Sequence, residues 1–150
     1  MFAAALLAHL VSFAVLATGS LGGLLVHRAL MDQLATPGAD ASSLMRLGAR
    51  LGLVARVGSI LMLVSGVSLM AARGWGDWGQ PWLMTKLALW LALSANGIVV
   101  GGSAGAAAGR ALGQGNTAAA MPALMRLSRF HVVQGLGTLA MVLLGVFGPR

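Results

Sequence analysis

AAALLAHLVSFAVLATGSLGGLLV, residues 3–26, decides the fold. The stretch carries no carboxylate, lysine or arginine, and His9 is its one ionisable side chain. Hydrocarbon offers no partner to a bare peptide group, so a chain crossing it needs roughly 20 apolar residues that satisfy their own backbone as a helix. No basic residue precedes the run, and it is too long for the apolar core of a secretory signal. It reads as a retained first span.

Three more stretches meet the same requirement, at about residues 51–72, 82–104 and 127–147. The breaks between them are plain. Thr36-Pro37-Gly38 is a turn signal, and Asp40 can cap a helix beginning near Ala41 that runs on into the second span. Gly74 to Pro81 forms a short loop rich in glycine and tryptophan. Gly113 to Asn116 is a second breaker cluster, after which Thr117 can cap the last helix, with Pro122 in its early turns. The expected architecture is all-α: one domain over residues 1–150, an integral membrane four-helix bundle. No internal repeat stands out.

Composition agrees. Apolar residues make up 58% of the chain and charged residues 9%, against about 25% charged in soluble domains. So few charges cannot cover a surface facing water, and lipid bilayer is the partner this implies. The net charge of +7 does not mark a nucleic-acid binder. There is one lysine and no tyrosine, hence no basic and aromatic stacking platform. The basic residues report topology instead. Arg28, Arg46, Arg50, Arg56, Arg110, Arg126 and Arg129 lie towards the first and third loops, against Arg73, Lys86 and Arg150 on the other side. Positive loops stay in the cytoplasm, so both termini are expected on the outer, periplasmic side of a bacterial inner membrane. Trp75, Trp78 and Trp82 suit the outer interfacial belt.

Polar side chains at membrane depth are few, and each is a site hypothesis. His9 in span one and Lys86 in span three share the outer leaflet. His27, at the other end of span one, and His131, early in span four, share the inner leaflet. Eighteen residues separate His9 from His27, about 27 Å along a helix, so one ligand cannot use both. Two neutral imidazoles from facing helices can ligate a haem b iron axially, with Arg28, Arg126 or Arg129 pairing with the propionates. The plainer reading is histidines at the headgroup interface. Asn96 and Gln134 read as bridges between helices or as cavity lining. Gly97, Gly101 and Gly105 recur every four residues on one face of span three. Such faces allow close helix approach, docking on a partner or a second copy, or room for a flat cofactor.

Other chemistries are thin. With no cysteine, disulfides, thiolate metal sites and iron–sulfur clusters are excluded. There is no glutamate, and Asp32, Asp40 and Asp77 all fall in loops, so no carboxylate stands at membrane depth for a proton relay. Nine methionines raise copper(I) transport, but they are scattered as core filling is. No metal site is expected.

His9, Gly19 ten residues later, Trp82 with Lys86 and Leu87, Arg129, and the Phe147 and Pro149 tail form a pattern over nearly the whole chain. It resembles the HemJ-type bacterial protoporphyrinogen oxidases. With the Pro81-Trp82-Leu83 start of span three, it is still more similar to a related set of small four-helix membrane proteins of unknown function, grouped with copper-resistance D-type membrane domains. The resemblance implies a membrane four-helix bundle. For the HemJ type it also implies haem binding and redox chemistry, with His9 and Lys86 as catalytic residues. Two positions depart from the pattern: Asn96 stands where the family usually has histidine, and Phe130 with His131 where it has an Asn-Glu pair. The alternatives are an accessory subunit of a larger membrane complex and a copper transporter.

Overall fold

In the computed structural model, which describes residues 1–36, 38 and 40–147, the chain forms four long helices. We label them α1 (Phe2–Leu34), α2 (Ser42–Ala72), α3 (Pro81–Gly113) and α4 (Thr117–Phe147). All four are long and apolar enough to cross a membrane. Pro37 of the first turn signal, and Pro149 and Arg150 of the tail, lie outside the described residues.

The helices outrun the expected spans, and mostly at one end. α1 continues from residue 26 to Leu34 and α3 from 104 to Gly113, while α2 begins at Ser42 and α4 at Thr117, ahead of the apolar runs at 51 and 127 as the turn signals led one to expect. Helices of 31 and 33 residues are about 46–50 Å long, well beyond the ~30 Å hydrocarbon core. The surplus gathers at the basic end, away from the termini. There too lies the best-buried cluster: Leu30, Ala41, Ala108, Ala120, Ala123 and Leu124. Where helices project into water, burial of apolar surface drives packing; within lipid it does not. Along the spans Leu25, Val64, Ile98 and Leu136 stay exposed on the bundle surface, Ile98 by 71%.

Local chemistry sets the ends. Asp40 accepts the Ser42 N–H through Oδ1 at 2.8 Å and the Ser42 hydroxyl through Oδ2 at 3.1 Å. These two bonds hold its carboxyl below the usual carboxylate range. For α4 the expected cap shifts by one residue. Asn116, not Thr117, accepts the Ala119 N–H at 2.9 Å, because Thr117 already has helical geometry and only the residue before it can turn back on the first turn. Pro122 sits in the second turn. In the 73–80 loop, Gly74, Trp75 and Gly79 take positive φ, and Arg73 pairs with Asp77 at 2.9 Å. Trp75 and Trp78 meet edge to face in the same loop.

Packing follows the glycines. α1 and α2 touch backbone to backbone: a Cβ on Gly58 would lie 2.5 Å from Leu16 N, and one on Gly19 would strike the Ala55 backbone. α3 meets α4 where Gly101 receives the Phe130 ring and Gly137 receives Leu93. α1 meets α4 where Gly23 receives the edge of His131. Two close hairpins thus join along α1 and α4, while α2 and α3 barely touch. α3 also changes pitch at its centre. Residues Gly97–Gly101 form one π turn in which the Gly102 N–H reaches the Gly97 carbonyl.

Candidate functional site

The four helices enclose a cavity of about 650 Å³ in the half of the bundle nearer the basic end. Its walls are mostly apolar, with glycines from α1, α2 and α3, the π turn among them. Four of its lining residues each carry a buried polar atom without a hydrogen-bond partner: Ser20 Oγ, His27 Nε2, Trp90 Nε1 and Gln134 Oε1. Burying such an atom unpaired costs about 1–3 kcal/mol. Native proteins hold few of them, so four around one void point to groups that a ligand or ordered water would satisfy. The volume is that of an ordinary small-molecule or cofactor site.

His27 is the best-placed donor for a ligand. It is 6% exposed, it lines the cavity, and its buried Nε2 has no partner. α1 brings it there because residues 16, 19, 23, 27 and 30 form one buried stripe facing the bundle interior. His131 stands beside it from α4, ring centroids 5.3 Å apart and tilted by 39°, as the sequence led one to expect of two histidines sharing a leaflet. The rings are neighbours in contact, with no interval between them for a macrocycle. A haem held from both sides by this pair does not fit the arrangement. His27, which lines the cavity with an unpaired Nε2, remains as a single candidate nitrogen for a group bound there.

Arg28 and Arg129, expected to pair with propionates, are both exposed, and neither lines the cavity. Arg56 does. The sequence reading counted Arg56 only as a topology signal, and nothing in its neighbours set it apart. Gly97, Gly101 and Gly105 all line the cavity. A Cβ on Gly97 or Gly105 would meet nothing within 4 Å. Gln134 does not bridge helices, because its Oε1 is one of the orphans. Asn96 Nδ2 is a fifth orphan, just before the π turn and outside the cavity lining.

His9 and Lys86 come together at the other end of the bundle. His9 Nδ1 lies 3.0 Å from Ser65 Oγ. Ser65 donates to the Leu61 carbonyl at 2.7 Å, so its oxygen is free to accept from the imidazole N–H. Ser12 is 3.5 Å from the same hydroxyl and donates to the Ala8 carbonyl. Lys86 is close enough to His9 to interact electrostatically. Its Nζ packs over the Trp82 ring, 5.8 Å from the centroid, and against Gly145. None of these side chains holds a buried orphan. Among the described residues no three His, Cys, Asp or Glu side chains gather as metal ligands.

No protein-family model, no curated protein and no solved structure matches the chain.

Proposed function

We propose that the chain is a multi-pass membrane protein that binds a flat, largely apolar tetrapyrrole, haem or porphyrin, in the cavity between its helices. The observation that carries this reading is a mostly apolar cavity at membrane depth whose lining residues include His27, Ser20, Trp90 and Gln134, each with a buried polar atom that lacks a partner. His27 would hold the group through its unpaired nitrogen, the apolar lining of α1, α3 and α4 would cover its body, and Trp90 and Gln134 would offer it a donor and an acceptor. A bound haem would supply one-electron redox chemistry; the chain excludes water around it. The reading places the protein in a bacterial inner membrane with its basic end in the cytoplasm.

An absorption spectrum of detergent-purified protein from haem-replete cells is the test. The expected result is a Soret band that shifts or disappears in His27→Leu and survives in His9→Leu. A colourless preparation that also takes up no added haemin or protoporphyrin would overturn the reading. The second reading is an accessory subunit, and the parted α2 and α3 favour it, since a partner's helix can lie between them. Co-purification of a stoichiometric membrane partner from native membranes, lost in Gly105→Phe, is its expected signature.

A further inference from the structure

α2 and α3 touch at two places and part between them. At one, Ser59 Oγ lies 3.3 Å from Ser94 Oγ. At the other, the Met45 methyl lies 3.6 Å from the position of a Gly109 Cβ. From Met45 to Ser59 is about 21 Å along α2. Along that interval the facing positions include Gly52 on α2 and Gly97 and Gly105 on α3, none with an atom within 4 Å of where its Cβ would be. Ile60 and Ile98 line the cavity and yet are 62% and 71% exposed on the bundle surface. The cavity therefore opens sideways, through the face that lipid covers. Small residues alone would say only that the gap is narrow-walled. The charged side chain at its rim is the second observation, and it points to a ligand.

Arg56 stands at this opening. It lines the cavity, is exposed, and lies six residues inside Arg50, about 9 Å deeper along the helix. Among the described residues no carboxylate pairs with it. Asp77 is taken by Arg73, and Asp32 and Asp40 lie beyond the spans in and beside the first loop. An unpaired arginine within a span is costly, and such residues mark ligand paths when they face a cavity.

We infer that the gap between α2 and α3 is a lateral portal through which an acidic amphiphile, an apolar body bearing one carboxylate or phosphate, enters from the bilayer and is held at its anionic group by Arg56. The inference rests on the cavity being a binding site, but not on the ligand being a tetrapyrrole. An apolar body dissolved in lipid reaches the void without crossing water. Its anion stays at the mouth, where the guanidinium offers charge-assisted hydrogen bonds, and its body satisfies the apolar walls.

Trp90 reports from inside the cavity. A Trp75→Phe, Trp78→Phe, Trp82→Phe variant leaves it as the single tryptophan. In vesicles of phosphatidylcholine at alkaline pH, dibromostearic acid should quench Trp90 saturably, at about five- to tenfold lower membrane concentration than its uncharged methyl ester. Arg56→Gln should abolish that preference, and Arg50→Gln, which changes surface charge alone, should keep it. Gly105→Phe, which meets no atom at its Cβ, should weaken quenching by acid and ester alike, with the helical circular-dichroism signal unchanged. Aqueous iodide should quench little. Brominated phosphatidylglycerol separates the sources: quenching with the same Arg56 dependence assigns the anion to a resident phospholipid, and quenching by the fatty acid alone assigns it to a free acid.

Equal quenching by acid and ester, or an Arg56→Gln variant that still prefers the acid, overturns the anionic selection. Iodide quenching as strong as that of the acid overturns lipid entry. Acid preference in a protein that never takes up tetrapyrrole leaves this inference standing and removes the tetrapyrrole reading. A haem spectrum in a protein without acid preference does the reverse.

Discussion

His9 and His27 lie on the same helix, both within the bundle, and their surroundings are opposite. His9 is held by Ser65, itself tied to the α2 backbone, in a chain of hydroxyls that leaves no buried polar atom unpaired. His27 is more deeply buried and its Nε2 has no partner at all. It lines the cavity, and three other residues of that lining carry orphaned polar atoms. A satisfied histidine at membrane depth holds helices together. An unsatisfied one beside a void is a standing cost of fold stability that only a bound molecule or water offsets. The cavity lies in the half of the bundle away from His9 and Lys86, the pair that the family resemblance singles out.

The largest expected effect erases the difference between the halves altogether. Gly19→Leu drives a side chain into the Ala55 backbone, which cannot yield as a side chain would. Overpacking of this kind costs about 1–3 kcal/mol or more. Thermal unfolding in detergent should show a large drop in Tm, with His9 and His27 environments lost together. Gly97→Ala, with open space around it, should leave Tm unchanged.

The next pair of substitutions separates the halves. His27→Leu keeps volume and removes an orphan, so stability should hold or rise while ligand affinity falls at least about tenfold, as expected when a charge- or metal-class contact is lost. His9→Leu should do the opposite. It should lower stability by about 0.6 kcal/mol, the usual worth of a hydrogen bond between membrane helices, and leave the ligand spectrum alone. Unfolding and titration of both variants check the pair. Equal loss of ligand in both would break the contrast.

A smaller effect sharpens it. Gln134→Met removes another orphan from the His27 half, so the empty protein should gain a few tenths of a kcal/mol to about 1 kcal/mol. Ligand binding should weaken by less than in His27→Leu. Differential unfolding with and without ligand reads both changes at once.

The smallest lies outside both halves. The Asp40 carboxyl is held low by the Ser42 N–H and hydroxyl. Its contribution to the start of α2 is present above the carboxylate's unfolded pKa and is lost as pH falls through the lower folded value. The protection of amides in the first turn of α2, relative to their intrinsic exchange at each pH, should fall on acidification, while that of amides beside His9 and His27 changes less. Asp40→Ala should remove the pH dependence.

Much of this was open to a reader of residues in order. Solvation alone required the four spans, since long uncharged runs have one stable environment. Counting residues from the span ends was enough to put His9 and Lys86 in one leaflet and His27 and His131 in the other; that the last two rings meet came from the packing. The starts of α2 and α4 were legible too, because Asp40 and the 113–116 breaker cluster stand well before the apolar runs; the extensions of α1 to Leu34 and of α3 to Gly113 were not, since hydropathy marks where lipid ends and not where a helix does. Arg56 was missed for another reason. Its neighbours on the chain, Arg46 and Arg50, make it look like one more cytoplasmic charge.

The order of apolar runs and basic loops by itself determined that this chain folds as four antiparallel helices in lipid, because each helix satisfies its own backbone and needs no neighbour to do so. Only the tertiary structure decided which faces close and which stay apart. Gly19 and Gly58 bring α1 and α2 into backbone contact, while the glycines of α3 at 97 and 105 face empty space. The residue type is the same in both places. What differs is whether a neighbouring helix lies opposite, and that depends on how all four pack at once.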